Sequence, residues 1–199
     1  MENKFINKIL ENINLNKGGV IVASPSKKDP NYFYHWIRDS AIIIRTIIKE
    51  YNLNSKEDLK TKIINYINLE MKLQNLDPLG KLGEPKFNVD GSLFNEKWGR
   101  PQNDGPALRT LAFIDIIKNN LIEEINIDKN IFINKVIYKN IIYICDNIHE
   151  PCFDLWEEIY GYHLYTRLVQ AKALSEFLKI YKGKNFHIIL KKYKELKIL

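Results

Sequence analysis

The sequence predicts an all-α fold, on three observations. Apolar residues recur at helical spacing through most of the 199 residues. Only "GGVIVAS", Gly18 to Ser24, reads as a strand, and one isolated strand builds no sheet. The segments that break the helical period are ordered-looking loops rather than linkers, and they hold the unusual residues. With 45% hydrophobic and 12% aromatic residues the chain can bury the core of one domain. It shows no linker composition and no repeat.

The elements follow in order. Phe5, Ile6, Ile9 and Leu10 mark a short first helix that Gly18-Gly19 ends. A long helix follows "HWIRDS" (His35 to Ser40), with Asp39 or Ser40 as its cap and Ile44, Ile47, Ile48 and Tyr51 on one face. Ser55 and Asp58 make a capping-type start for the next, whose buried face carries Leu59, Ile63, Tyr66 and Leu73 until Asp77-Pro78 stops it. Leu79 to Gly105 holds five of the nine glycines and little periodicity, as expected of a long ordered loop. Helical pattern resumes at Pro106, and returns from about Ile131 to Ile148, from His163 to Tyr181, and from Phe186 onward.

Composition narrows the function classes. The net charge is +6, but the basic residues are scattered, and the densest group, Lys191 to Lys197, reads as a solvated helix face. No nucleic-acid partner is expected. Cys145 and Cys152 stand without a CxxC or a histidine at metal-ligand spacing, so no metal site is expected. The amino-terminal residues lack the apolar run of an export signal, and no stretch is long enough to span a membrane. No membrane partner is expected, and the compartment is left open.

Three clusters carry candidate chemistry. The first is "SPSKKDPNYFYHWIRDS", which crowds Tyr32, Trp36, Arg38 and Asp39 at a helix entrance. Aromatic faces pack on sugar C–H surfaces and an Arg/Asp pair suits hydroxyls, but an aromatic core plug with a capping Asp fits equally. The second, Gly83 to Arg109, brings Trp98, Arg100, Gln102 and Asp104 to the mouth of another helix, as a binding rim or as a self-bonded structural loop. The third is "FDLWEEIYG", where Asp154, Glu157 and Glu158 surround Trp156. An indole that desolvates a carboxyl keeps it protonated as a general acid. The bland alternative is acids at a helix start with Trp156 in the core.

Together, "VIVASPS…NYFYHWIRDS", "GEPKFNVDGS…WGRPQNDGPALR" and "DLWEEI" resemble the blocks of the glucoamylase family, the inverting exo-acting hydrolases of starch and glycogen, in order and spacing. The resemblance runs from about Ile21 to Leu174 and is closest to the fungal-type enzymes. It implies about the first half of an (α/α)6 barrel, as the amino-terminal part of one catalytic domain over residues 1–199. It also implies that Glu157 is the general acid, Glu158 holds sugar in the next subsite, and Asp154 has a supporting catalytic part. Arg38 and Asp39 would grip the terminal glucose. Tyr32, Trp36 and Trp98 would form aromatic walls, with Arg100, Leu155 (through its carbonyl) and Trp156 lining the pocket. No metal or organic cofactor is implied, and the partner is an α-1,4-glucan or maltooligosaccharide.

Some features depart from the family pattern. The general base of inverting enzymes lies far downstream in the family, and no block here resembles it. A completing carboxy-terminal half is therefore the further partner expected. Tyr160, Glu150 and Ala171 also differ from the usual residues. The expected activity is glucan 1,4-α-glucosidase; the alternative is a catalytically incomplete carbohydrate-binding or regulatory module.

Overall fold

The computed structural model describes residues 4–14 and 18–197. Its helices are α1 (Lys4–Asn14), α2 (Ile37–Asn54), α3 (Glu57–Leu73), α4 (Gly105–Lys118), α5 (Lys129–Ile131), α6 (Tyr138–Asn147), α7 (Leu164–Ile180) and α8 (Phe186–Lys197). The strands are two residues long: β1 (His35–Trp36), β2 (Lys86–Phe87), β3 (Cys152–Phe153) and β4 (Tyr160–Gly161). The all-α expectation holds.

The helices pack as pairs, α2–α3, α4–α6 and α7–α8, joined through the row α2–α4–α7. Helix α4 sits at the centre because it is apolar nearly all round, from Ala107 to Ile117, and so has no face for water. The α2 stripe of Ile44, Ile47 and Ile48 and the α3 stripe of Leu59, Ile63, Tyr66 and Leu73 are buried as their spacing required. A glycine locks the chain before β1: Gly19 has φ +84, and a Cβ there would fall 2.1 Å from the Asn65 carbonyl oxygen.

Several local expectations are corrected. Neither Asp39 nor Ser40 caps α2; the N-cap position is Trp36, without a side-chain cap bond. Ser40 lies inside the helix and its hydroxyl donates to Ile37 O (3.2 Å) and Glu70 Oε1 (3.3 Å). Ser55 does not start α3. It ends α2 in the left-handed region, with φ 48 and its N–H bonded to Tyr51 O at 2.7 Å. Asp58 instead lies within the first turn of α3, where its charge suits the helix dipole. The "GGVIVAS" stretch makes only an isolated bridge, Val22 to His35. The helix read from Ile131 to Ile148 begins earlier, capped by Asp128 Oδ1 on Asn130 N (2.9 Å) and Ile131 N (3.0 Å). It passes through a π-helical turn at Phe132–Ile137, a hydrogen-bond shift that apolar spacing does not reveal.

Two short antiparallel pairings, the second of them a hairpin, tie the loop segments together. Strand β1 pairs antiparallel with β2, His35 opposite Phe87 and Trp36 opposite Lys86. Strand β3 pairs with β4, Cys152 opposite Gly161 and Phe153 opposite Tyr160. The "DLWEEI" segment is therefore the loop of the β3–β4 hairpin, not the start of a helix.

Candidate active site

A buried charged cluster fixes the frame beneath the first loop. The His35 ring accepts Ile21 N–H at Nδ1 (3.0 Å), which leaves its proton on Nε2 to donate to Glu70 Oε1 (2.9 Å). Glu70 Oε2 accepts from Arg109 Nη1 at 3.1 Å. All three side chains are buried. Burial alone would raise the Glu70 carboxyl, but hydrogen bonds from His35 and the charge of Arg109 outweigh it and hold it low. Helix α3 and helix α4 are thereby tied to β1, one residue from Trp36. Ile37 N–H also donates to Pro85 O (3.0 Å), fastening the start of α2 to the second loop.

On this frame the guanidinium of Arg38 gathers all three clusters. Its Nη1 donates to Gln102 Oε1 (2.8 Å) and Asp104 Oδ2 (3.1 Å), and its Nη2 to Leu155 O (3.5 Å). Asp39 Oδ2 lies 3.7 Å from Nε, and Glu157 Oε1 lies 4.0 Å from Nη2. Burial would lower the guanidinium, yet Asp104 and Asp39 hold it fully charged. Burial also raises the Asp39 carboxyl, against the pull of Arg38.

The third loop is shaped from within. Asp154 Oδ1 accepts the N–H groups of Glu158 (2.8 Å) and Ile159 (3.0 Å), so its carboxylate is turned into its own turn. Its slight burial would raise its pKa, but backbone donors from Ile159, Glu158 and Trp156 hold it low. Glu157 takes a left-handed backbone, φ 59, a conformation that costs free energy in a non-glycine residue. That turn aims its carboxyl at the second loop, where Oε1 accepts from Gln102 Nε2 at 2.7 Å. Gly99 permits this approach, since a Cβ there would fall 2.8 Å from Glu157 Cβ.

Burial pushes the Glu157 carboxyl above its ordinary value, against lowering by Gln102, Arg38 and Lys86. Its side chain is 19% exposed. The shelter does not come from Trp156 burying it, because that indole is 74% exposed at the loop tip. It comes from the second loop, from Gly99 and Gln102.

A cleft of about 370 Å³ opens over these groups, lined by Tyr32, Trp36, Arg38, Leu155, Trp156 and Glu157 among others, with Asp39 also in its wall. Trp98 stands edge-on to Trp36, 6.0 Å between ring centroids, and so backs the wall. Arg100, read as lining the pocket, and Glu158, read as holding sugar in the next subsite, are both outside the cleft lining. Arg100 is used inside the loop, its Nε bonded to Glu84 Oε1 (3.1 Å) and its other nitrogens to Glu96 O (2.8 Å) and Phe94 O (3.0 Å). Glu158 is exposed beside the cleft rather than in its lining.

Sequence reasoning passed over Lys86. Its ammonium sits 3.2 Å from the Trp98 ring centroid, 4.1 Å from Phe94 and 4.3 Å from Tyr34. Burial lowers it to about 8 despite the nearby Glu157 charge. No signal in the sequence marks it, since Tyr34 and Trp36 reach it only through the β1–β2 pairing. Gln102 and Asp104 were legible as polar residues in a glycine-rich loop, but not as partners of Arg38.

Among the described residues no group of His, Cys, Asp and Glu could hold a metal. No helix among them is long and apolar enough to cross a membrane. The cleft combines a sheltered carboxylic acid, a charged donor fork and aromatic faces, which is the equipment for binding a polyhydroxylated ring and protonating an oxygen beside it.

The model of the glycosyl hydrolases family 15 matches residues 4–193. The glucoamylase GLA1 of Saccharomycopsis fibuligera is 41% identical over 187 residues, covering 83% of this chain and 36% of that protein. The intracellular sporulation-specific glucoamylase of Saccharomyces cerevisiae is 37% identical over 203 residues, covering 88% of this chain and 36% of its own. The solved glucoamylase from Saccharomycopsis fibuligera superposes with a TM-score of 0.82 at 33% identity, over 95% of this chain and 45% of that one. The chain thus spans about a third of the length of the curated relatives and under half of the solved one. The helix pairs are those of part of an (α/α)6 barrel.

Proposed function

The chain belongs to family 15 of the glycosyl hydrolases, and from that premise we propose that it carries the terminal-sugar pocket and the general acid of an exo-acting, inverting α-1,4-glucan hydrolase. The observation that carries this reading is the convergence of Arg38 at the start of α2, Gln102 in the second loop and Glu157 in the β3–β4 loop into one bonded cluster at the cleft.

Arg38 and Asp39 in the cleft lining suit the hydroxyls of a single chain end, which favours exo action. Tyr32, Trp36 and Trp156 offer faces for the C–H surfaces of glucose, with Trp98 backing Trp36, and the Leu155 carbonyl, within reach of Arg38, offers an acceptor. Glu157 gives its proton to the glycosidic oxygen as the C–O bond breaks. The carboxylate left behind is stabilised by Gln102, Arg38 and Lys86. Asp154 acts by setting the turn that presents Glu157, and Glu158 meets the next sugar from the rim. Arg100 keeps the second loop in shape.

Inversion needs a second carboxylate about 6.5–9.5 Å from the acid, to activate water on the opposite face of the sugar. We assign that base to the portion of the family fold that has no counterpart in this chain. Glucose release from maltose and soluble starch tests the reading. The 199-residue chain alone should release almost none, and an assembly that includes the remaining portion should release β-glucose. Replacing Glu157 by Gln should lower that rate by about 10²–10⁴-fold. Robust release by the isolated chain, or retention of configuration in the product, would overturn it.

A further inference from the structure

A second, small pocket of about 10 Å³ shares no lining residue with the cleft. It lies where the β3–β4 hairpin meets the second loop and the start of α7, and Asn103, Cys152, Tyr162, Thr166 and Arg167 stand in its wall. A space of this size admits one small particle.

The wall carries an excess of hydrogen-bond donors. Asn103 is 1% exposed; its Oδ1 accepts from the Tyr143 hydroxyl at 2.8 Å, and its Nδ2 lacks a partner among the described residues. With its oxygen held by Tyr143, the amide has only donors left to offer. The guanidinium of Arg167 lies 5.3 Å from the Tyr162 ring centroid, and its Nη1, also buried, has no hydrogen-bond partner among the described residues. Helix α7 starts at the same place. Its N-cap residue His163 makes no side-chain cap bond, and its first turn holds no acidic residue. The first N–H groups of a helix have no helical acceptor and carry partial positive charge.

The acceptors nearby are engaged elsewhere. Cys152 O accepts from His163 Nε2 (3.0 Å), Asp104 Oδ2 from Arg38 Nη1 (3.1 Å), and Asp154 Oδ1 from Glu158 N (2.8 Å). Glu150 is the one carboxylate in the pocket wall, and it is exposed. Leaving buried donors unmade is costly, so the pocket calls for an acceptor. A water molecule would bring two protons of its own to this ring of donors, whereas an anion only accepts.

We propose that the pocket binds a single chloride ion, held by Asn103 Nδ2, Arg167 Nη1 and the amino-terminal turn of α7. The ion joins the second loop, the β3–β4 hairpin and α7, and so fastens the hairpin whose loop presents Glu157. The assignment does not rest on the catalytic reading, because none of these donors lines the cleft and its test needs no glucose release.

Thermal unfolding of the 199-residue chain is compared in sodium chloride and in sodium gluconate at equal ionic strength. A Kd of about 10 mM would raise the midpoint by roughly 3–6 °C at about 100 mM chloride. Arg167→Gln, at a half-buried position, should unfold cooperatively and show the same midpoint in both salts. Glu150→Gln removes the competing carboxylate and should tighten chloride binding several-fold. Crystals of the unaltered chain grown in bromide should show, by anomalous scattering, one ion between Asn103 and Arg167. Equal midpoints of the unaltered chain in the two salts, or a chloride effect that Arg167→Gln leaves intact, overturn the proposal. So does a bromide crystal in which a water molecule or the Glu150 carboxylate occupies the pocket.

Discussion

Gln102 donates to Glu157: its Nε2 lies 2.7 Å from Oε1 of the carboxyl. The same amide accepts from Arg38 through its oxygen, at 2.8 Å, and donates to Gly99 O at 3.2 Å, which fixes which way it faces. With Oε1 engaged as an acceptor, a proton on Glu157 belongs on Oε2. The contact therefore selects the oxygen that can act as donor, while making the carboxylate easier to form.

Removing that donor should raise the Glu157 titration. Gln102→Leu takes away a contact that lowers the carboxyl and leaves the burial that raises it. Carboxyl-carbon NMR of the wild type and the variant should show Glu157 titrating higher in the variant. In an active assembly, the alkaline limb of the rate profile should move the same way, because an acid catalyst works only while protonated. An unchanged titration would mean that Gln102 does not tune the acid.

Gly99→Ala tests the close approach. The new Cβ would stand 2.8 Å from Glu157 Cβ, which is fixed to the backbone, and 3.2 Å from Cδ1 of the Phe153 ring. Overpacking should cost about 1–3 kcal/mol in denaturant unfolding. It should also move the Glu157 carboxyl resonance, whereas Gly161→Ala, with nothing within 4 Å of its Cβ, should leave that resonance in place.

Glu70→Gln would leave the Arg109 guanidinium, 2% exposed, without its counter-charge. Breaking a buried pair from one side costs about 3–5 kcal/mol. The pH dependence has a definite sign. Glu70 titrates lower in the folded chain than when unfolded, so its contribution is present above the unfolded value and is lost as pH falls through the folded one. The stability gap between wild type and variant, wide at pH 7, should narrow on acidification. A gap independent of pH would assign the cluster no electrostatic role.

Arg38→Lys should weaken maltooligosaccharide binding by roughly 10–100-fold, the worth of about one or two charge-assisted hydrogen bonds. A lysine keeps the charge but cannot serve Gln102, Asp104 and Leu155 together, as the guanidinium does. Calorimetry on both proteins decides it. Equal affinities would remove Arg38 from the sugar contacts.

Much of this molecule was legible because helices are local. The stripes of Ile44, Ile47 and Ile48, and of Leu59, Ile63 and Tyr66, lie within a few turns, and their spacing alone required a shared core. The three clusters were legible as blocks of chemistry for the same reason, each being contiguous in the chain. What only the tertiary structure decided is which side chains of different blocks touch. The β3–β4 pairing made "DLWEEI" a hairpin loop rather than a helix entrance, and so left Trp156 in solvent. The β1–β2 pairing put Lys86 among rings that lie far off in the chain, and the folding of the second loop turned Arg100 inward while leaving Gln102 to join Arg38 to Glu157. Side-chain spacing reports which face of one element is buried. Hydrogen bonds and charge contacts across tens of residues are set by how elements meet, and no local pattern encodes that meeting.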